Sequence, residues 1–252
     1  MDREDITESA KREFSTQVNK QEGETSSRII ENPKYLTEDQ KDSWNKNGFI
    51  LLKNFCSKEI CSEMNSSVLS IIDSMVGSEE AFSHAYANEG YIGIREMKPN
   101  PEAKTIHDEM SKIFRLHGKG VFNDFINNKR LLDLVEDILG INIDCFLSQY
   151  IFKNPGAWGQ PWHQDSSYFP FDRYPQVGAW VATSPATIEN GCLVILPGSH
   201  KEHLHEHVPD DREGSNYGYT EIKDQDFTNE IPVTLETGDL LLFHSFLMHK
   251  SY

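Results

Sequence analysis

Residues 160–166 read QPWHQDS and residues 240–251 read LLLFHSFLMHKS, and these two stretches indicate both a fold and a chemistry. His163 and Asp165 form a His-x-Asp pair, and His249 follows an apolar run much later in the chain. Two histidines and one carboxylate can hold one face of an octahedral iron and leave the opposite face open. The pair alone is a weak signal, because the pattern is short and the chain has 10 histidines.

The residues around these stretches predict many short strands. Alternate side chains of a strand point to the same face, so a strand over 160–166 would project His163 and Asp165 together and Gln164 away from them. Short apolar runs separated by Gly and Pro turns favour a double-sheet jelly roll or barrel. The other predicted strands are 49–52, 143–152, 179–182, 192–196, 231–235 and 240–243.

The first half of the chain is predicted to be mainly helical. Thr37 and Gln40 form a capping box that opens a short helix, which Gly48 ends. A second helix begins near Ser57, and its apolar face is expected to carry Met64, Val68, Ile71 and Met75. A third helix spans 129–139 and ends at Gly140. Residues 77–120 are expected to form loops and short strands.

These patterns predict one main domain behind an N-terminal tail. Residues 1–30 are polar and charged, and such a segment buries too little apolar surface to offset the entropy of ordering, so a mobile tail is expected. Residues 31–252 then form the folded domain, with a helical part to about 140 and a jelly-roll core from about 143. The class is therefore mainly β with flanking helices.

Composition excludes several kinds of partner. The formal net charge of -16 disfavours binding to nucleic acid or to an anionic membrane surface. The chain shows neither a secretory leader nor an apolar run near the roughly 20 residues that a membrane helix needs.

The 4 cysteines form no CxxC pair, so reduced thiols and an intracellular, by default cytoplasmic, location are expected. A peroxisomal location stays open, although no N-terminal peroxisomal signal is visible.

Several motifs in a fixed order resemble one enzyme family. The stretches WHQDSSYFPF, GAWVA, ENGCLVILPGSHK and ETGDLLLFHSFLMHKS resemble the phytanoyl-CoA dioxygenase family, and LTEDQKDSWNKNGFILLKNF resembles its opening helix and strand. The resemblance covers roughly residues 35–252. It implies a double-stranded β-helix and an oxygenase that uses iron(II), 2-oxoglutarate and oxygen, with ascorbate as a candidate reductant of the iron. The implied reaction is hydroxylation of an acyl-CoA or a similar small molecule.

The same resemblance assigns roles to individual residues. His163, Asp165 and His249 match the iron ligands. Lys112, Gln149, Trp180 and Ser251 match positions that line or bind the cosubstrate. From the residues alone, Trp180 is equally well explained as a core side chain, and Lys112 is better explained as a surface lysine.

The resemblance also predicts a missing element. In the family, an arginine beyond the distal histidine pairs with the far carboxylate of 2-oxoglutarate, because its planar fork suits a bidentate contact. That position lies past Tyr252, so the expectation is a C-terminally truncated chain that lacks the last barrel strand and binds 2-oxoglutarate weakly.

Two other functions and two other roles for histidines remain as alternatives. The chain is either the oxygenase described above or an impaired relative that binds metal and turns over poorly. A zinc hydrolase with the same ligands is disfavoured, because no separate general base is evident. The histidines at 200, 203, 205 and 207 are better explained as a solvated loop than as a second metal site, and His244 as a structural residue.

Overall fold

The computed structural model describes residues 30–77, 90–169, 175–213, 215 and 218–252. The expected tail at 1–30 therefore lies almost wholly outside the described residues. The helices are α1 (Glu38–Asn47), α2 (Lys58–Met75), α3 (Ile106–Glu109), α4 (Gly120–Ile126) and α5 (Lys129–Leu139). The strands are β1 (Phe49–Leu52), β2 (Ile92–Arg95), β3 (Met110–Phe114), β4 (Gln149–Ile151), β5 (Val177–Val181), β6 (Leu193–Ile195), β7 (Val208–Pro209), β8 (Thr220–Glu221), β9 (Ile231–Val233), β10 (Leu240–His244) and β11 (His249–Ser251).

Two antiparallel three-stranded sheets form the core of a jelly roll. One has the order β1-β10-β5 and the other the order β11-β6-β9. An apolar cluster lies between them, because it contains Leu241 and Phe243 from the first sheet and Ile195 and Val233 from the second. The predicted class, mainly β with flanking helices in a jelly roll, is confirmed.

Strand β10 is the centre of the first sheet and is buried on both faces. Leu241 and Phe243 face the interior between the sheets. Leu240 and Leu242 face the opposite side, where they pack against α1 and α5. Burial on both faces explains why this strand is a continuous apolar run rather than an alternating one.

The first helix has the boundaries that its sequence predicts. The Thr37 hydroxyl accepts a hydrogen bond from the Gln40 amide, and the Gln40 side chain accepts one from the Thr37 amide. Gly48 ends the helix at φ 85°, a left-handed conformation that glycine adopts without a steric penalty. The chain then turns directly into β1, which pairs with β10.

The second helix buries the predicted Met64, Val68 and Met75, but Ile72 takes the place predicted for Ile71. Its buried residues are Cys61, Met64, Val68, Ile72 and Met75. Ile72, not Ile71, is fully buried, and it packs with Met110 and Ile113 of β3. The prediction for Ile71 was wrong because a continuous 3.6-residue period places the side chain four positions after Val68 on the buried face.

Three further features bear on the predictions. Only Gln149–Ile151 of the predicted strand 143–152 is a strand, and it joins β2 and β3 in a third sheet of order β2-β3-β4. All 4 cysteines are free thiols. Among the described residues, none of the helices has the length and apolar character required to span a bilayer.

Candidate active site

The backbone brings His163 and His249 side by side. Each donates its amide hydrogen to the carbonyl of the other, at 2.9 and 3.0 Å, in an isolated antiparallel bridge. His249 opens β11, which pairs with β6 on its other side. Both histidines are therefore fixed by main-chain hydrogen bonds, and the two residues are 3% and 4% exposed.

Asp165 reaches the same place from a turn instead of a strand. The predicted strand 160–166 is wrong, because His163 forms only an isolated bridge and residues Asp165–Ser167 form a 3-10 turn. The amides of Ser167 and Tyr168 donate to the carbonyls of Gln164 and Asp165 and close this turn. The turn, and not strand alternation, directs the Asp165 carboxylate toward the two histidines.

Hydrogen bonds fix the orientation of both imidazole rings. Nδ1 of His163 lies 2.8 Å from the Pro161 carbonyl, and Nδ1 of His249 lies 2.9 Å from the Leu247 carbonyl. A carbonyl oxygen only accepts, so each Nδ1 carries the proton. In the neutral ring, each Nε2 is then left with a lone pair. Imidazole ligands of metals are commonly oriented in this way.

The three candidate ligand atoms converge on one point. Oδ1 of Asp165 lies 3.5 Å from Nε2 of His163 and 3.6 Å from Nε2 of His249, and all three ligand atoms lie within 4.8 Å of one another. Ligands about 2.1 Å from one metal at right angles are about 3 Å apart, so a small shift would complete a metal site. Among the described residues, this is the sole group of three or more His, Cys, Asp or Glu side chains with such spacing.

Burial determines the charge of this group. Burial and, next, the neighbouring His163 together lower the pKa of His249 to about 4, so His249 is neutral near pH 7. Burial alone would raise the pKa of the Asp165 carboxyl, but the histidines and Lys112 outweigh it, and the pKa is lowered. The Asp165 carboxylate thus faces the Nε2 atom of neutral His249 as well as Nε2 of His163, an arrangement that a cation would stabilise.

Lys112 lies beside this group and is buried. Its side chain is 8% exposed, so the surface explanation was wrong. Nζ donates to Oε1 of Gln160 at 3.1 Å and lies over the ring of Tyr219. Burial lowers the pKa of Lys112 to about 8, although the charges of Asp165 and Glu96 act in the opposite direction.

A second lysine, which the sequence did not single out, completes the basic part of the site. Nζ of Lys153 donates to Oγ of Ser251 at 3.0 Å, and the same Oγ accepts from the amide of Gln160. Burial lowers the pKa of Lys153 to about 8, and the charge of Lys112 also lowers it. Lys153 lies two residues after the end of β4, and no local pattern distinguishes it from a surface lysine.

Gln149 and Trp180 lie on elements that border the site. Gln149 is exposed, on the face of β4 that carries Ile151, the cross-strand partner of Lys112. Trp180 is half-buried and packs against the cluster between the sheets. It shares its face of the sheet with Phe243, whose ring contacts His249 at 5.1 Å between centroids. Trp180 therefore packs in the core between the sheets, and it lies near the candidate metal ligands because Phe243, on the same face, contacts His249.

The histidines of the predicted loop and His244 contact protein atoms. His203 is exposed and stacks on His205, which contacts Glu202. His207 is half-buried and accepts a hydrogen bond from the Gln164 amide, and His200 is buried, so the prediction of a solvated loop was wrong for these two residues. His244 is buried at the end of β10 and accepts a hydrogen bond from the Phe246 amide through Nδ1. These contacts agree with a structural role for His244.

Comparison with known proteins decides the family. The sequence model of the family described as phytanoyl-CoA dioxygenase (PhyH) matches residues 44–252. The chain belongs to the phytanoyl-CoA dioxygenase family. It is therefore an iron and 2-oxoglutarate dependent oxygenase. Membership of this family does not favour the alternative of an impaired relative that binds metal and turns over poorly.

Several relatives of this oxygenase are similar along most of its length. A probable phytanoyl-CoA dioxygenase of Caenorhabditis elegans is 30% identical, over 86% of this chain and 70% of the relative. Phytanoyl-CoA dioxygenase 1 of Oryza sativa subsp. japonica is 25% identical, over 86% of this chain and 83% of the relative. The peroxisomal phytanoyl-CoA dioxygenase of Mus musculus is 30% identical, over 86% of this chain and 63% of the relative.

Solved structures share the fold of this oxygenase. EctD from S. alaskensis, crystallised with 2-oxoglutarate and 5-hydroxyectoine, superposes with a TM-score of 0.59 at 18% identity, over 91% of this chain and 73% of EctD. EvdO2 from Micromonospora carbonacea var. aurantiaca, complexed with 2-oxoglutarate, superposes with a TM-score of 0.57 at 18% identity, over 88% of this chain and 86% of EvdO2. At this identity the likeness supports the jelly-roll fold alone.

Proposed function

We propose that His163, Asp165 and His249 hold iron(II) and that the chain hydroxylates a C–H bond of an acyl-CoA or a similar small molecule. The supporting observation is the convergence of two Nε2 lone pairs and one carboxylate oxygen, with both Nδ1 protons committed to main-chain carbonyls. When bound, iron(II) and 2-oxoglutarate would activate oxygen for hydroxylation, with succinate and carbon dioxide as coproducts. The protein would supply the ligands, the orientation of the cosubstrate and a site sheltered from water.

Lys112, Lys153 and Ser251 are proposed to bind the carboxylates of 2-oxoglutarate. Gln160 connects the two lysines. Its side chain accepts a hydrogen bond from Lys112, and its amide donates to the Ser251 hydroxyl that also accepts from Lys153. Buried lysines form strong charge-assisted hydrogen bonds to a carboxylate. Titration of the Fe²⁺-loaded protein with 2-oxoglutarate tests this assignment directly.

The substrate is proposed to approach along the face of the β2-β3-β4 sheet that carries Lys112. Ile151 is the cross-strand partner of Lys112 and is 43% exposed, and Gln149 is exposed on the same face. An apolar side chain in such a position suits an acyl chain. The names of several relatives specify phytanoyl-CoA, and the mammalian relatives are named peroxisomal, which makes the peroxisome a candidate location beside the cytoplasm.

Succinate production tests this proposal. The purified chain would be incubated with 2-oxoglutarate, oxygen, ascorbate and either Fe²⁺ or Zn²⁺, with phytanoyl-CoA and shorter acyl-CoA esters as substrates. The proposal expects succinate formation matched by oxygen consumption with Fe²⁺ and none with Zn²⁺. Hydrolysis of the ester with Zn²⁺, without succinate, would support the zinc hydrolase instead. Iron binding without succinate under any condition would support the impaired relative.

A further inference from the structure

Gln164, between the first two candidate metal ligands, connects three separate segments through its side chain. Its residue is 0% exposed. Nε2 donates to the carbonyls of Phe246 at 3.0 Å and His203 at 3.1 Å, and Oε1 accepts from the His205 amide at 2.8 Å. Phe246 lies in the turn that leads to His249. One amide side chain therefore links the loop that carries His163 and Asp165 to the segment that carries the third ligand.

His207 holds the main chain of the same residue. The Gln164 amide donates to Nε2 of His207 at 3.0 Å. Nδ1 of His207 lies 2.8 Å from the His205 carbonyl and must donate to it, so Nε2 is the acceptor in the neutral ring. This hydrogen bond replaces the strand pairing that the sequence predicted for residues 160–166. The histidine loop thus contacts the ligand segment directly.

The main chain of Gln164 also acts on the turn that carries Asp165, whose Oδ1 lies 3.5 and 3.6 Å from the Nε2 atoms of His163 and His249. The Gln164 carbonyl accepts from both the amide and the hydroxyl of Ser167, at 2.9 and 2.8 Å, which closes the turn that presents Asp165. Fixing Gln164 therefore fixes the direction of the carboxylate.

We propose that Gln164 and His207 are positioning residues that keep the three candidate ligands convergent before the metal binds. The proposal rests on the metal site of the proposed function. Partners that orient metal ligands typically change metal affinity by roughly 10- to 100-fold when they are removed. The gain comes from preorganisation, because a site that is already formed loses less conformational entropy on binding.

Metal affinity of the apoprotein tests the proposal without turnover. Co²⁺ would be titrated calorimetrically, in the absence of 2-oxoglutarate, into wild type, His207→Leu, His207→Gln, Gln164→Met and His203→Ala. His207→Leu removes the acceptor, whereas the amide oxygen of His207→Gln can occupy the place of Nε2. His203→Ala is the matched control, because the His203 side chain is exposed and contacts the ligand segment only through its main-chain carbonyl.

The expected result separates positioning from general stability. His207→Leu and Gln164→Met should weaken Co²⁺ binding by about 10- to 100-fold and alter the visible absorption of bound Co²⁺, while His207→Gln and His203→Ala stay near wild type. Thermal unfolding of each apoprotein would identify a variant that fails to fold, and the comparison of His207→Leu with His207→Gln remains decisive if Gln164→Met does fail. Equal affinities and spectra for these two His207 variants would overturn the proposal. A wild type that binds Co²⁺ tightly but makes no succinate would refute the hydroxylase while leaving this inference intact.

Discussion

Replacing Lys153 by methionine should weaken binding of 2-oxoglutarate and leave metal binding unchanged. Methionine keeps most of the apolar stem and removes the ammonium that lies 3.0 Å from Oγ of Ser251. A hydrogen bond to a charged group contributes about 1.5–3 kcal/mol, so the dissociation constant should rise by about 10- to 150-fold. Only the affinity for the cosubstrate should change, because the hydrogen bonds of Lys153 go to Ser251 and Tyr252 and not to the three candidate metal ligands.

Lys250→Met is the matched control for this measurement. Lys250 precedes Ser251 on β11, but it pairs with Glu230 at 2.8 Å and lies over Trp162, away from the cosubstrate residues. Both variants and wild type would be loaded with Fe²⁺ under anaerobic conditions and titrated with 2-oxoglutarate in a calorimeter. Affinities for Lys153→Met and Lys250→Met that agree within about twofold would refute the proposed role.

The same titration should depend on pH. Burial lowers the pKa of both Lys112 and Lys153 to about 8 from an ordinary value of 10.5. The charged form of each lysine binds the dianion, so affinity should be highest below pH 8 and should fall by up to about tenfold per pH unit for each lysine above it. Lys153→Met should show the shallower dependence. An affinity of wild type that stays constant from pH 7 to pH 9 would contradict this reasoning.

Three further predictions concern packing and stability. A Cβ at Gly178 would lie 2.3 Å from the ring of Phe243, so Gly178→Ala should cost about 1–3 kcal/mol in urea unfolding, and a cost near zero would contradict the tight packing. Burial lowers the pKa of His244 from 6.5 to about 3 in the folded protein, so His244 takes up a proton on unfolding between these pH values. The free energy of unfolding should therefore fall by up to about 1.4 kcal/mol per pH unit as the pH drops from 6.5 toward 3. His244→Asn keeps a hydrogen-bond acceptor without this titration, and an unchanged slope would refute the assignment. Ile72→Ala should cost about 2–5 kcal/mol and Ile71→Ala clearly less, because only Ile72 is fully buried; equal losses in the same unfolding assay would contradict the corrected helix face.

Local signals in the sequence predicted those parts of the fold that local interactions determine. The capping box at Thr37 and the left-handed Gly48 set the ends of α1, and both are interactions within a few residues. The continuous apolar run of β10 follows from its burial on both faces. The two histidines and Asp165 were found because a short motif and a family resemblance both identify them.

The rest depends on contacts between residues that are far apart in the chain. Lys153 reaches Ser251 across 98 positions, and the burial that sets its pKa arises from the tertiary fold. The strand predicted for the His-x-Asp motif fails because Gln164 bonds to the histidine loop and closes a turn through Ser167. Neither interaction leaves a pattern in the neighbouring sequence, which explains why both were missed.

A crystal structure of the anaerobic Fe²⁺-loaded protein, with anomalous data at the iron edge, tests the central claim most directly. The account predicts one strong iron peak, with Nε2 of His163, Nε2 of His249 and a carboxylate oxygen of Asp165 each about 2.1 Å from the metal. The rings should keep the Nδ1 contacts to the Pro161 and Leu247 carbonyls. Iron bound at the histidine loop, or a fully loaded protein whose peak lies away from these three atoms, would contradict the account.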